Sequence, residues 1–229
     1  MSDVRDAWVG DVMSGDAMAD VAGERLVLLP ERAAYWPRSR TLLVADAHFG
    51  KAAAFRAAGV PVPRGTTTGS LERLEAAIIR TGATRVVFLG DLLHAREGRE
   101  AETIRIIAEW RRRHAGVDMV LVRGNHDVRA GDPDPSMAIR CVDAPMVELP
   151  FAFTHKPKAS PSGYVIAGHI HPSVRLTGPG REHTRLTCFW VRPTTMVLPA
   201  FGEFTGLGDV DVEPDDRVWV IAGDAVVRV

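Results

Sequence analysis

The chain has 229 residues, 46% hydrophobic and 25% charged, a composition that supports a sizeable core and excludes disordered and fibrous classes. Twenty-eight Lys and Arg against 29 Asp and Glu leave a net charge of −1, so no molecule-wide basic field attracts polyanions, and any phosphate or nucleic-acid affinity must come from a local site. Cys141 and Cys188 lie far apart with no CxxC pattern, which argues against a thiolate metal site or a disulfide framework and favours a reducing compartment. Residues 1–20 carry acidic residues throughout and lack the apolar core of a signal peptide, and no stretch approaches the ~20 apolar residues of a membrane span. The expectation is a single cytoplasmic domain over 1–229 with no membrane partner.

In chain order, ERLVLLP (24–30) reads as a strand, AAYWP as a short extended piece and TLLVAD (41–46) as a buried strand. Residues 66–82 place Leu71, Leu74, Ala77 and Ile78 at helical spacing, with Ser70 or Thr68 as the cap and Gly82 as the stop. RVVFLGD (85–91) is a buried strand. Residues 100–116 form a helix, acidic at its start and basic at its end, as the macrodipole favours. The cluster Arg111, Arg112, Arg113 and His114 therefore reads as a helix terminus before it reads as a nucleic-acid contact. DMVLVRGNHD (118–127) is again a strand running into polar residues.

After residue 116 no helix is expected. FAFTH (151–155), YVIAGHIH (164–171), TRLTCFWV and TTMVLPAF read as strands, and RVWVIAGDAVVRV as a hairpin about Gly-Asp. Residues 205–217 read as an acidic surface loop. The sum is a mixed α/β (α+β) sandwich, with a β-α-β front half and a strand-rich back half.

Polar residues end these strands in a pattern. VADAHFG supplies Asp46 and His48, FLGDLLH supplies Asp91, VRGNHD supplies Asn125 and His126, FTH supplies His155, and GHIH supplies His169 and His171. Five of the eight histidines fall in these clusters, and open α/β sheets place ligand sites outside the carboxyl ends of their strands. Taken singly, Asp-x-His, GD and GNHD are ordinary turns and His155 is structural; their recurrence at the ends of apolar runs points to a metal site. Carboxylate, imidazole and amide oxygen without sulfur suit Mn, Fe, Zn or Co better than Cu(I).

Asp46, His48, Asp91, Asn125, His155, His169 and His171 are too many ligands for one tetrahedral ion. They suit two divalent ions about 3.5–4 Å apart with one bridging carboxylate. On an extended chain His169 and His171 face one side, with Cα atoms roughly 6.6 Å apart, and can reach different members of the pair. The glycine before them would leave room for an ion and substrate. Two divalent ions against two carboxylates leave a positive centre that attracts phosphate and lowers the pKa of a bridging water, which predicts metal-assisted phosphoester hydrolysis.

The order D-x-H … GD … GNHD … H … GHxH, over residues 46–171, resembles the calcineurin-like metallophosphoesterase superfamily. The resemblance implies a two-sheet sandwich flanked by helices, with a dinuclear site at the carboxyl ends of the strands. It implies Asp46, His48, Asp91 and His171 on one metal, and Asp91, Asn125, His155 and His169 on the other, with Asp91 bridging. His126 would stay off the metals and either donate a proton to the leaving oxygen or hold the phosphate.

Many members carry an Asp three residues after the GD aspartate, where this chain has His94. ADAHFGKAAAFRAAGVPVP and LGDLLHAREG are similar to a bacterial subfamily, the ligase-associated DNA damage response endonucleases. That likeness implies a phosphodiester nuclease working on DNA in repair beside a DNA ligase and a helicase. Manganese is the first expectation for the two ions, and a homodimer is a candidate assembly. Lys51 and Arg56 become candidate phosphate contacts, against the reading of a solvated surface helix. His94 becomes a candidate support for a metal ligand from behind, against that of a core histidine. The rival readings are a phosphomonoesterase or small-molecule (nucleotide) phosphodiesterase, and a non-catalytic scaffold that would have lost His126 or a ligand.

Overall fold

The computed structural model describes residues 14–57, 59–62, 65–94, 100–177 and 183–229. Residues 1–13, over which no leader is expected, lie outside them, as do Ala58, Pro63 and residues 95–98 of the two subfamily stretches.

β1 (Ala17–Val21), β2 (Glu24–Leu29) and β3 (Ala33–Trp36) form an antiparallel meander that joins β4 (Thr41–Val44). From β4 the sheet continues in parallel through β5 (Arg85–Leu89), β6 (Asp118–Val122) and β7 (Arg140–Val142), seven strands in sequence order. α1 (Lys51–Ala57) and α2 (Thr66–Thr81) connect β4 to β5, α3 (Ala101–Arg113) connects β5 to β6, and α4 (Asn125–Ala130) follows β6.

The second sheet contains β8 (Met146–Glu148), β9 (Phe151–Phe153), β10 (Tyr164–Ala167), β11 (Pro172–Thr177), β12 (His183–Val191), β13 (Thr195–Val197) and β14 (Gly208–Asp209). Their spatial order is β14-β11-β12-β13-β10-β9-β8, and the hairpin of β15 (Arg217–Ala222) and β16 (Ala225–Arg228) pairs with β12.

Strand alternation divides the apolar residues between two cores. Leu42, Val44, Val86, Phe88, Met119 and Leu121 face the helices, packing with Leu71, Leu74, Ala77, Ile78, Ile107 and Trp110. Leu43, Val87, Leu89, Val120 and Val122 face the second sheet, packing with Phe151, Phe153, Ile166, Phe189, Met196 and Leu198. Burial on both faces is why β4, β5 and β6 read as continuous apolar runs.

Some local expectations need correction. α2 starts earlier than its expected caps: Gly65, at φ +86°, stands at the N-cap, and Ser70 is buried within the helix. Gly82 ends it at φ +62°, as the sequence predicts. Helical structure does continue past residue 116, as the six-residue α4 and a 3-10 turn at Pro135–Met137, both too short for periodicity to reveal. The acidic 205–217 stretch is not all solvated surface. Gly208–Asp209 pairs with β11, and the Asp216 carboxylate is fully buried and accepts the Trp190 indole N–H at 2.8 Å.

The basic end of α3 acts as a helix terminus: Arg111 is buried and donates to the carbonyls of His114 and Val117. Both cysteines are free thiols, and among the described residues no helix is long and apolar enough to cross a membrane.

Phe153 is fully buried between the sheets, its ring centroid 6.2 Å from Trp36 and 6.0 Å from Phe151. Phe153→Ala is expected to cost about 3–5 kcal/mol in urea unfolding followed by tryptophan fluorescence. A loss under about 1 kcal/mol would show that this seam is not tightly packed.

Candidate metal centre

Every candidate ligand sits just beyond the carboxyl end of a strand. β4, β5 and β6 of the first sheet deliver Asp46 and His48, Asp91, and Asn125, while β9 and β10 of the second deliver His155, His169 and His171. Backbone bonds fasten these loops together. His48 N–H donates to Asp91 O at 2.9 Å, Phe49 N–H to Leu92 O at 2.8 Å, and His94 N–H to Phe49 O at 3.0 Å. Across the seam between sheets, Gly202 N–H donates to Asp46 O at 3.0 Å and His169 N–H to Asp46 Oδ2 at 2.8 Å.

The loops are strained. Asp46, His48, Asp91, His169 and His171 all have left-handed φ, from +45° to +74°. Such backbone costs of order 1–3 kcal/mol per residue and persists where surrounding bonds over-determine it. This corrects the extended reading of GHIH, since the two histidines follow the end of β10 in a left-handed turn. Gly168 also has a different purpose from the one expected. A Cβ there would lie 2.4 Å from Asp46 Oδ2, so its missing side chain makes room for a carboxylate of the neighbouring sheet.

The side chains gather into two groups, each with ligand atoms within 4.8 Å of one another: Asp46, His48 and His171, and Asp91, His155 and His169. Asn125 adjoins the second, its Oδ1 3.1 Å from His155 Nε2. His171 Nε2 lies 3.5 Å from Asp46 Oδ1, and His155 Nε2 lies 3.3 Å from Asp91 Oδ2 and 2.9 Å from His169 Nδ1. The groups adjoin, with His155 Nδ1 3.8 Å from Asp46 Oδ1. His155 Nδ1 also lies 3.0 Å from Leu89 O, and His171 Nδ1 2.9 Å from Gly206 O. A carbonyl can only accept, so Nδ1 of both rings carries the proton and Nε2 faces the centre.

Electrostatics follow this crowding. Burial pushes the Asp91 carboxyl up, but the bond and charge of His155 and the His126 amide outweigh it and hold the pKa at about 2. Burial likewise lowers His155, yet Asp91 and Asp46 raise it above the usual histidine value. Burial and the nearby Lys51 ammonium push His48 down to about 3, keeping it neutral and able to act as a ligand.

These residues fit divalent cations. Each group offers one carboxylate and two imidazoles. Asp46 Oδ1 is buried with no hydrogen-bond partner among the described residues, and His171 Nε2 and His155 Nδ1 lie 3.5 and 3.8 Å from it. A cation satisfies such a carboxylate where no donor does.

The remaining candidates border the groups. His126 opens α4 with its ring half-exposed; its N–H donates to Asp91 Oδ1 at 3.0 Å, and its Nε2 lies 3.9 Å from Asp91 Oδ2. His94 stacks on His126 (centroids 5.9 Å, 23°) and meets His48 edge-on at 5.5 Å, so it touches a ligand without joining either group. Lys51 is part-buried within electrostatic reach of Asp46 and Asp91, whereas Arg56 lies at the far end of α1.

A model of the calcineurin-like phosphoesterases matches residues 39–158, about half of the chain and five of the seven candidate ligands. The crystal structure of Pseudomonas putida nuclease MPE superposes with a TM-score of 0.82 at 38% identity, covering 93% of this chain and 100% of that one. The chain belongs to the calcineurin-like phosphoesterase family. The Escherichia coli phosphoesterase Yfce matches only loosely, with a TM-score of 0.41 and 14% identity over 82% of this chain and 97% of that one. Among curated proteins none matches the chain.

Membership of the calcineurin-like phosphoesterases makes this a hydrolase fold with divalent-metal sites, and the structure adds residues that the motifs alone did not reveal. Asp127, quoted in GNHD but given no role, is buried. Its Oδ2 accepts from Asp91 N–H at 2.7 Å and Gly124 N–H at 2.8 Å, and its Oδ1 from Leu92 N–H at 3.1 Å. It thereby ties the Asp91 loop to the Asn125 loop. Lys156, exposed beside His155 and close enough to bear on His169 electrostatically, is a second cation at the rim; the K-P-K that follows FTH was its only sequence signal.

Asp127→Asn replaces one accepting oxygen with a donor facing buried N–H groups. Denaturation of the metal-free chain is expected to show a loss of about 1–3 kcal/mol. Unchanged stability would mean the two loops are held by something else.

Proposed function

We propose that this protein is a phosphodiesterase working with two divalent ions, manganese foremost and iron, zinc or cobalt as alternatives, and that it cleaves DNA as an endonuclease in repair. The observation that carries the reading is the pair of carboxylate–imidazole groups adjoining across the sheet seam, with His126 beside Asp91 at their open edge. When bound, the metals supply activation of water and neutralisation of the phosphoryl charge.

The chain's own residues do the rest. Asp46 and His171 with His48 hold one ion, His155, His169 and Asn125 hold the other, and Asp91 stands between them. His126, kept at the rim by its bond to Asp91, faces the leaving oxygen and donates its proton or holds the phosphate. Lys51 and Lys156 offer cationic contacts to phosphates, and His94 packs behind His48 and His126. Likeness to the P. putida nuclease and to the DNA damage response endonucleases supports DNA as the substrate, and with it a cytoplasmic role beside a DNA ligase and a helicase. The net charge of −1 gives DNA no independent support, which leaves a small phosphomono- or diester as the second reading.

With added Mn2+, the enzyme is expected to turn over bis-p-nitrophenyl phosphate and cleave a DNA oligonucleotide, while p-nitrophenyl phosphate is a poor substrate. Cleavage of the monoester alone rejects the nuclease reading, and no hydrolysis of any of the three rejects the enzyme reading. His126→Ala is expected to retain both metals by elemental analysis and lose about 10²–10⁴-fold in turnover. Lost metal in that variant would contradict its placement off the ions.

A further inference from the structure

His155 and His171 each commit Nδ1 to a backbone carbonyl. His48 departs from them: it is 5% exposed, and its Nδ1 is buried without a hydrogen-bond partner among the described residues. Metal-holding imidazoles ordinarily donate their outer N–H to a carboxylate, a carbonyl or water, which fixes the tautomer. His48 borders a cavity of about 10 Å³ whose polar walls are Lys51, Thr66, Thr67, Ser70 and Glu203. That volume holds about one water molecule.

Glu203 is the only carboxylate among the described residues of this wall, and its position is enforced. The preceding Gly202 donates to Asp46 O, and a Cβ on Gly202 would lie 2.4 Å from Ala47 O, so the segment is pressed against the loop that carries His48. Arg73 of α2 bonds Phe201 O and so holds the segment from the other side, while its pair with Glu203 Oε1, at 3.4 Å and partly exposed, adds little to stability.

We propose that Glu203 is a positioning residue for the metal centre: one water in this cavity accepts the His48 Nδ1 proton and donates to the Glu203 carboxylate. The bridge presents His48 Nε2 to the Asp46–His48–His171 group. This inference rests on the reading of that group as a metal site.

Calorimetric titration of the chelator-stripped full-length chain with Mn2+ tests it. Glu203→Ala is expected to weaken one of two sites by about 10-fold or more, leaving the other unchanged, with no shift in the thermal midpoint of the metal-free chain. Glu203→Gln, whose amide oxygen accepts the same bond, is expected to recover most of the affinity. Nitrogen-15 NMR of the metal-free wild type is expected to show His48 as the Nδ1–H tautomer.

Wild-type affinity in Glu203→Ala, no recovery in Glu203→Gln, or an Nε2–H tautomer overturns the proposal. A lowered metal-free midpoint in Glu203→Ala marks a merely structural role and overturns it as well. Failure of the wild type to bind Mn2+ at all refutes the underlying metal reading instead.

Discussion

A buried carboxylate joins the two sheets at the site. Asp46 ends a strand of the first sheet, and its Oδ2 takes the backbone N–H of His169 from the second. Its Oδ1 lies among imidazoles that also come from the second sheet. Among the described residues no donor satisfies that oxygen, although its side chain is fully buried. An uncompensated buried carboxylate is expensive, so the arrangement makes sense around a cation. The inter-sheet core holds the seam closed along the strands, and Asp46 determines what stands at its open end.

Local strain is concentrated at that end. Five of the candidate ligands hold left-handed backbone, a conformation that side chains disfavour. Bonds between loops offset the cost: His48 to Asp91, Phe49 to Leu92, and Asp127 to three N–H groups. Close approach adds a second constraint. At Gly90, which also has positive φ, a Cβ would lie 2.3 Å from His155 Nδ1, so glycine before Asp91 lets an imidazole of the other sheet lie against the strand end. The loops therefore act as one rigid frame, as preorganised ligands require.

Much of this was legible in the sequence. β4, β5 and β6 stand out because both faces are buried, and the candidate ligands stand out because each breaks an apolar run. β1, β7, β8 and β11 did not, being short or partly exposed at sheet margins. Motif order named the candidate ligands, and the resemblance it carries implied the same two groups; the left-handed turns and sheet packing that bring those groups together have no periodic signature. Asp127 and Glu203 illustrate the same limit. Their partners are backbone amides and a cavity wall supplied by segments distant in sequence, and nothing in GNHD or FGEF announces them.

If the two groups that adjoin across the sheet seam hold two divalent ions, anomalous diffraction from crystals grown with Mn2+ will locate them. Two peaks per chain are expected, one among Asp46, His48 and His171 and the other among Asp91, Asn125, His155 and His169. A single peak, or manganese bound away from these residues, would contradict the two-ion reading.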